Sequence, residues 1–321
     1  MKRWMGGLLA TTTLLLGVLA VYVHGRIHAF ETTQVTEDLH VIYGPALAGR
    51  IPLGGNTAVL QTQRGAILVD SMFFVSQGRQ LRELAEELGG GPTQAIINTH
   101  YHADHSHGNP AWADGTHVIS TQRTFDYMRH FDAAYWEEEG LGTLPRERFD
   151  ETYLLRVGDK TIRSLHLGTG HTGGDLVVLF VEDRVIHMGD LFFNGYFPNV
   201  DLEAGGSLRE WEQTLGRILQ LDFEQVIPGH GPVTDRRQLE QFQRFLSELV
   251  DEVGVAASKG LSLRDTLDVV ELEQAAGYRS LWIPFVKTLD RDFVIRRAWE
   301  EATGTVEAAE VPLVEEWGSI R

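Results

Sequence analysis

The sequence contains no cysteine among its 321 residues. This absence excludes disulfide bonds, thiolate metal ligands and cysteine nucleophiles together. It assigns no compartment, because cysteine-free chains occur on both sides of a membrane. A metal site in this chain would therefore have to be built from histidine and carboxylate side chains.

Basic residues are scarce relative to acidic ones. The chain has 28 lysines and arginines against 45 aspartates and glutamates, which gives a formal net charge of −17. Diffuse negative charge repels phosphate backbones and anionic lipid, so nucleic acid is not expected as a partner. The hydrophobic fraction of 43% suits a packed globular core.

Charge is missing altogether from residues 5–23, which follow Lys2 and Arg3. An apolar run of this length is just long enough to span a bilayer as a helix. Its end lacks the small-x-small pair of a cleavage site, which favours an uncleaved signal-anchor over a cleaved signal peptide or a buried helix. With the two basic residues inside, the chain would be anchored in the membrane and face the periplasm or exterior, or be secreted if residues 1–26 are removed.

β-rich runs and amphipathic helices alternate along the rest of the chain. Residues 40–70 and 152–188 are β-rich, whereas 77–88 and 207–221 have apolar residues at helical spacing. A further apolar stripe with helical spacing begins at Phe242. This order predicts an α+β fold in which helices cover sheet layers.

The richest candidate for chemistry is the segment 99–109, which holds four of the 13 histidines. His100 and His102 follow an apolar strand, and side chains at i and i+2 of extended backbone share a face, so both can bind one ion. A turn directly afterwards can aim Asp104 and His105 at a second ion. A run of H-x-H-x-D-H after a buried strand therefore predicts a metal centre.

Three further places complete the candidate set. His171 lies in a glycine-rich turn, Asp190 follows a β-rich run, and His230 lies in a rigid turn after a short strand. Each signal is weak alone, because a strand-end aspartate is commonly a turn residue and a single histidine is commonly structural. Their occurrence together with the histidine-rich segment makes the prediction strong.

Across residues 38–235 the sequence resembles the metallo-β-lactamase superfamily. The matching residues, in the family's order, are Asp70, His100, His102, Asp104, His105, His171, Asp190 and His230. The resemblance implies a four-layer αββα sandwich with the site at one edge between the sheets. With the signal-anchor or signal peptide at 1–26 and a linker at 27–37, the chain then has a catalytic domain 38–235 and a C-terminal helical extension 236–321 packed on it.

The resemblance implies two zinc ions per chain, although iron and manganese also suit such ligands. The first zinc ion would have three imidazole ligands: His100, His102 and His171. The second would have Asp104, His105 and His230. Asp190 would bridge the two ions, and Asp70 would be a buried group that binds neither. A bridging aspartate in place of cysteine looks more like glyoxalase II and lactonases than like some β-lactamases.

Substrate contacts are less strongly indicated. Asn194 and Tyr196 follow the bridging position closely enough to reach a substrate, and His107 is an extra histidine beside the ligands, either structural or facing the substrate. The aromatic segment 127–148 is either a lid over the site or a surface helix. The sequence carries no signal for an oligomeric state.

The resemblance implies a metal-dependent hydrolase. A hydroxide shared by two zinc ions would attack the carbonyl of a small ester, thioester, lactone or lactam, with Asp104 guiding protons to the leaving group. The alternative within the same fold is a persulfide dioxygenase with a single iron, which would leave Asp104, His105 and His230 without a role. A nuclease would need a basic surface that this acidic chain lacks, and a scaffold without catalysis would not need two full ligand sets.

Overall fold

The structure is a computed structural model, and it describes residues 21–284 and 286–311. The strands are β1 (Glu31–Gln34), β2 (Leu39–Tyr43), β3 (Ala46–Leu47), β4 (Ile51–Pro52), β5 (Thr57–Thr62), β6 (Gly65–Val69), β7 (Thr93–Ile97), β8 (His117–Thr121), β9 (Glu147–Phe149), β10 (Thr152–Val157), β11 (Lys160–Leu165), β12 (Val177–Phe180), β13 (Val185–His187), β14 (Gln225–Ile227), β15 (Thr234–Asp235), β16 (Leu281–Ile283) and β17 (Lys287–Leu289).

The α-helices are α1 (Val75–Leu88), α2 (Ala103–Ser106), α3 (Gln122–Phe131), α4 (Ala133–Glu137), α5 (Leu208–Ile218), α6 (Arg236–Ser258), α7 (Leu263–Val269) and α8 (Arg291–Thr303). Short 3₁₀ helices lie at Asn109–Trp112, Gly189–Leu191 and Glu273–Ala275. Polar caps fix several helix starts; for example, the Ser207 hydroxyl accepts the backbone N–H of Glu210 at the start of α5.

Two sheets form the centre of the fold. The first has the order β1-β2-β5-β6-β7-β8-β9, and the second has the order β10-β11-β12-β13-β14-β15. Alternation along β6 shows how they are covered. Ile67 and Val69 pack with Val178 of the second sheet, whereas Ala66 and Leu68 pack against α1. Successive side chains on a strand point to opposite faces, so one strand serves both the inter-sheet core and the helix layer.

Helices α5, α6 and α8 cover the outer face of the second sheet. Ile186 and Val226 of that sheet share one core cluster with Leu215, Phe242 and Val294 of the three helices. The layers are therefore helix, sheet, sheet and helix, as the sequence predicts.

The C-terminal region differs from the wholly helical extension expected from sequence. β16 and β17 pair as an antiparallel hairpin between α7 and α8. Leu281 and Leu289 face each other across this hairpin and are buried in the cluster beneath α6. Trp282, next to Leu281, is half exposed. A short run that buries alternate residues favours a strand over a helix, and this period is hard to see in three-residue segments.

The N-terminal segment contributes little to this picture. No helix within residues 21–284 and 286–311 is both long and apolar enough to cross a bilayer. Residues 1–20, on which the predicted signal-anchor mainly depends, lie outside the described residues. The anchor, its cleavage and the location of the chain therefore stay predictions.

Candidate metal centre

Several stretches of chain converge at one edge of the sandwich. β6 and β7 run parallel in the first sheet, and β13 and β14 run parallel in the second. Ligand sites commonly lie beyond the carboxyl ends of such strands. The turns that follow these four strands hold Asp70, the histidine-rich segment 99–109, Asp190 and His230, and the loop before β12 brings in His171.

The first group of potential ligands consists of His100, His102, His171 and Asp190. Their ligand atoms all lie within 4.8 Å of one another. His171 Nε2 is 2.8 Å from His102 Nδ1 and 3.5 Å from Asp190 Oδ2. His100 Nε2 lies 3.9 Å from the same carboxylate oxygen. Three imidazoles thus aim nitrogen atoms at one point beside one oxygen of Asp190.

The second group consists of Asp104, His105 and His230, again with ligand atoms within 4.8 Å. Asp104 Oδ2 is 3.2 Å from His230 Nε2 and 3.6 Å from His105 Nε2. Asp190 Oδ1 lies 3.1 Å from His105 Nε2 and 3.5 Å from His230 Nε2. Asp190 therefore presents one carboxylate oxygen to each group.

Asp70 orients two of the imidazoles from behind. Its Oδ1 accepts the Thr99 N–H at 2.8 Å, and its Oδ2 accepts the Thr99 hydroxyl at 2.9 Å and lies 2.7 Å from His105 Nδ1. Since that hydroxyl donates to Asp70, it accepts from His100 Nδ1, 3.0 Å away. Both histidines then keep Nε2 lone pairs for a cation, which is how metal-binding histidines are commonly fixed. Asp70 itself is not among the potential ligands.

Two residues that sequence reasoning missed orient the other imidazoles. Asp201 Oδ2 lies 3.0 Å from His102 Nε2, and it also accepts the Tyr101 hydroxyl at 2.5 Å. The backbone carbonyl of Asn199 lies 2.9 Å from His171 Nδ1. The one available signal was a lone aspartate in an irregular loop. Its position in the sequence does not indicate which distant histidine it will contact.

The His230 turn is held by close backbone packing. Asn56 donates its side-chain amide to the carbonyls of Pro228 and Gly231, both at 2.8 Å. A Cβ at Gly229 would come within 2.0 Å of Asp190 Oδ1. Glycine is therefore required there, because any side chain would displace the carboxylate that both groups share.

The buried polar atoms of this centre fit a metal ion better than they fit one another. His100 Nε2, His105 Nε2 and Asp190 Oδ1 are buried without a well-aligned hydrogen bond, although His105 Nε2 lies 3.1 Å from Asp190 Oδ1. An unsatisfied buried group costs about 1–3 kcal/mol, so three at one place form an expensive arrangement unless a cation binds them. Imidazole and carboxylate without sulfur are ligands that zinc accepts.

Burial favours the neutral form of two imidazoles of the first group, His100 and His171. Burial, reinforced by the charge on His105, holds the pKa of His100 well below its ordinary value. Burial also lowers the pKa of His171 to about 3, against the attraction of Asp190. Because metal ligation needs a neutral imidazole, these two side chains are ready to bind at neutral pH.

The second group behaves in the opposite way. Burial disfavours charge on His230, but Asp190 and Asp104 outweigh it and raise its pKa to about 9. The same balance raises the pKa of His105 well above its ordinary value, with Asp190 the strongest attraction. Burial alone would raise the pKa of Asp190, yet His230 and His105 hold it well below its usual range. A cation at this group would displace protons.

A family model described as the metallo-beta-lactamase superfamily matches residues 50–230, a range that contains all of these potential ligands. The chain belongs to the metallo-beta-lactamase superfamily. It is 28% identical over 184 residues to a type 2 metallo-beta-lactamase of Bacillus sp. (strain 170), covering 56% of this chain and 68% of that protein. It is also 22% identical to a linear primary-alkylsulfatase of Pseudomonas sp. (strain ATCC 19151), covering 68% of this chain and 51% of that protein.

Solved structures agree on the fold. A metallo-beta-lactamase from Pontibacter korlensis superposes with a TM-score of 0.58 at 22% sequence identity, covering 68% of this chain and 99% of that one. At such low identity the likeness concerns the fold alone. The αββα sandwich of this superfamily is therefore the architecture of the chain.

The potential ligands of this centre are unequally exposed. The side chains of His100, His105 and His171 are at most 1% exposed, whereas those of Asp104 and His102 are 22% and 19% exposed. Any substrate must therefore approach over Asp104 and His102.

A cation from the C-terminal hairpin lies near that opening. Lys287 Nζ donates to Asn199 Oδ1 at 2.8 Å, on the residue whose backbone carbonyl holds His171. Burial lowers the pKa of Lys287, and the charges of Asp201 and Asp104 partly compensate. Lys287 lies outside the range that the superfamily model matches, and sequence reasoning gave it no role.

The three side chains proposed from sequence as substrate contacts all have local partners. Asn194 donates to the carbonyl of Pro232 at 2.8 Å, and the Tyr196 hydroxyl accepts from Arg279 at 2.6 Å. His107 stacks on Tyr135 with ring centres 3.6 Å apart, outside both ligand groups. His107 is thus a packing residue in this structure, which favours the structural interpretation of that histidine over the substrate-facing one.

Proposed function

We propose that this chain is a dinuclear zinc hydrolase that attacks the carbonyl of a small ester, thioester, lactone or lactam. The observation that carries the proposal is the pair of ligand groups, each complete by itself, with one oxygen of Asp190 directed to each. The coarser statement, a metal-binding member of a mostly hydrolytic superfamily, already follows from the family match.

Two zinc ions at these groups would lower the pKa of a water molecule toward neutrality and polarise a carbonyl group. The chain itself supplies orientation. Asp70 and Asp201 hold the rings of His105 and His102 through the nitrogen that faces away from the cluster. Such partners keep the ligand nitrogens in place with little reorganisation during the reaction.

Asp104 is the residue we assign to proton transfer. Its carboxylate is the most exposed group of the cluster, and it lies beside His230 on the side open to a substrate. The neighbouring imidazoles hold its pKa below the usual range despite burial, so it is ionised at neutral pH and readily gives up any proton that it receives. A leaving oxygen, nitrogen or sulfur atom entering over Asp104 would receive that proton.

The alternative from sequence, a persulfide dioxygenase with a single iron, explains less of the arrangement. It would need only one ligand group, yet Asp104, His105 and His230 are gathered as closely as the first group. Three buried or half-buried ligand side chains with no metal would be costly to maintain. The second group therefore favours hydrolysis.

The relatives do not identify the substrate class. They include lactamases and an alkylsulfatase, so activities differ at the level of identity seen here. We keep the predicted membrane anchoring through residues 1–26, with the catalytic part outside, as part of the proposal.

The decisive test is a panel of chromogenic lactam, lactone, ester and thioester substrates offered to the purified, zinc-loaded protein. We expect turnover of at least one carbonyl substrate that disappears with a chelator and returns with zinc. Turnover of a nitrocefin-type lactam alone would identify a lactamase. Oxygen consumption with a persulfide, together with no turnover of any substrate in the panel, would contradict the proposal.

A further inference from the structure

The aromatic segment 127–148 borders a cavity of its own. Its helices α3 and α4 and the loop to β9 enclose a cavity of about 510 Å³, whose lining contains none of the potential metal ligands. This volume is within the range of sites for small molecules, about 300–1,000 Å³.

The interior of this cavity is apolar. Phe125, Trp136 and Leu144 contribute to its walls, and Leu141 at its side is 64% exposed. Large aliphatic and aromatic side chains that are exposed around an opening usually mark a place where an apolar ligand or partner binds. The Trp136 indole N–H is buried without a hydrogen-bond partner, so this wall also holds an unused donor.

Positive charge surrounds the apolar interior. Arg129, Arg146 and Arg148 line the cavity, with Glu137 as the one carboxylate. Glu137 and Asp126 act on Arg129, whereas no carboxylate in the described ranges forms an ion pair with Arg146 or Arg148. This is a local excess of cations in a chain with a net charge of −17.

The alternation of β9 sets the direction of one of these cations. Phe149 packs into the inter-sheet core, so Arg148 before it points to the opposite, helix-covered face. There its guanidinium lies 4.4 Å from the centre of the Phe125 ring. The planar guanidinium group is thus positioned against the cavity wall, with N–H donors that match a carboxylate or sulfonate.

We propose that this cavity binds a single-chain aliphatic anion, with the hydrocarbon chain against Phe125, Trp136 and Leu144 and the anionic head at Arg146 and Arg148. Apolar walls alone would bind any hydrophobic ligand, and arginines alone would bind any anion. Their combination in one cavity selects an amphipathic carboxylate or sulfonate over a neutral or cationic chain of equal length.

The site is next to the metal centre and separate from it. Trp136 lines the cavity and also contacts His107, with ring centres 5.6 Å apart. His107 ends α2, the helix that holds Asp104 and His105. The proposal does not depend on hydrolysis, because ligand binding here is measured directly.

The test is a calorimetric titration of the full-length, zinc-loaded protein with dodecanoate below its micelle concentration. Dodecyltrimethylammonium, with the same chain and the opposite charge, is the control ligand. We expect one dodecanoate per chain and at least roughly tenfold weaker binding of the cation, as expected for loss of a charge-assisted contact.

Two matched pairs of variants locate the binding. Ala133→Phe fills the cavity, whereas Ala134→Phe adds the same bulk at the next, exposed position, which does not line it. Arg148→Glu reverses a lining charge, whereas Arg123→Glu reverses an exposed charge on α3 outside the lining. We expect A133F to abolish binding, R148E to weaken it roughly tenfold, and both controls to bind like the original chain.

Several results would overturn the inference. Dodecanoate that does not bind, or that binds equally to A133F and A134F, would exclude this cavity and leave the metal ions as its binding place. Equal affinity for the two dodecyl ligands would exclude the role of the arginines. A change in oligomeric state of A133F without any dodecanoate binding would indicate a second copy of the chain as the occupant. Should A133F fail to fold, the R148E and R123E pair decides alone.

Discussion

The two ligand groups of the metal centre are built differently, although they share Asp190. The first contains three imidazoles, each with a hydrogen-bond partner on its other nitrogen: Thr99, Asp201 and the Asn199 carbonyl. The second contains one carboxylate and two imidazoles, of which His105 is held by Asp70. His230 instead stacks against Phe193, with ring centres 5.2 Å apart.

This difference indicates that the two ligand groups have different roles. In the first group His100 and His171 are buried and favour the neutral form, and each imidazole has an orienting partner. This arrangement suits a tightly held ion that polarises a substrate. In the second group His105 and His230 favour the charged form without metal, and Asp104 lies at the opening. We expect this second group to hold its ion more weakly and to handle protons.

Removing the shared residue should have the largest effect. Asp190→Ala leaves both groups without their common oxygen, so we expect fewer than one retained ion per chain and a loss of hydrolysis of roughly a thousandfold or more, equivalent to several kcal/mol. Metal analysis after dialysis and initial rates measure the two effects. Asp222→Ala, which removes an exposed carboxylate paired with Arg184, is the control and should change neither. Two ions retained by D190A would refute the bridging role.

Single deletions in the two groups should not be equivalent. We expect His100→Ala to lose the more tightly bound ion and nearly all activity. His230→Ala should keep about one ion per chain and a reduced rate, because the first group remains complete. Competition titrations with a chromophoric chelator measure both affinities. If H230A binds as few ions as H100A, the division into a tight and a weak site is wrong.

Loss of an orienting partner should have an intermediate effect. Asp201→Asn removes the charge that faces His102 Nε2, and we expect affinity for the first ion to fall about 10–100-fold. Tyr101→Phe removes the other hydrogen bond to Asp201 and leaves His102 paired, so its effect should be smaller. The comparison is made by chelator competition. An equal loss in both variants would show that Asp201 acts through packing and not through His102.

The pH dependence of metal binding should differ between the groups. The raised pKa of His230, about 9, means that a proton must leave before an ion binds, so affinity for the second ion should increase as pH rises from 6 to 9. The lowered pKa of His171, about 3, means that affinity for the first ion should change little over the same range. The increase should be at most about tenfold per pH unit for each proton displaced. Parallel slopes for the two ions would contradict the comparison.

Much of this centre could be predicted from the chain alone, because its ligands follow strands. The run from His100 to His105, together with Asp190 and His230, occupies the turns where parallel strands end, and strand ends are visible in apolar patterning. Asp201 and Lys287 were not predicted. They lie in an irregular loop and in a short hairpin, where no periodicity indicates which distant group a side chain will meet.

The cavity shows the same limit in another way. The aromatic character of residues 127–148 was evident, and helices α3 and α4 form there. The pairing of β9 with β8 brings Arg146 and Arg148 to the same side as Phe125. Such pairing is a tertiary choice that local sequence does not specify.

The number of metal ions bound per chain in the purified protein tests the two-ion centre most directly. Plasma mass spectrometry on the full-length chain after exhaustive dialysis should find about two divalent ions of the zinc type per chain, falling to about one in H230A and below one in D190A. A protein with no stoichiometric metal, or with a single iron that H230A leaves unchanged, would contradict the two-ion centre.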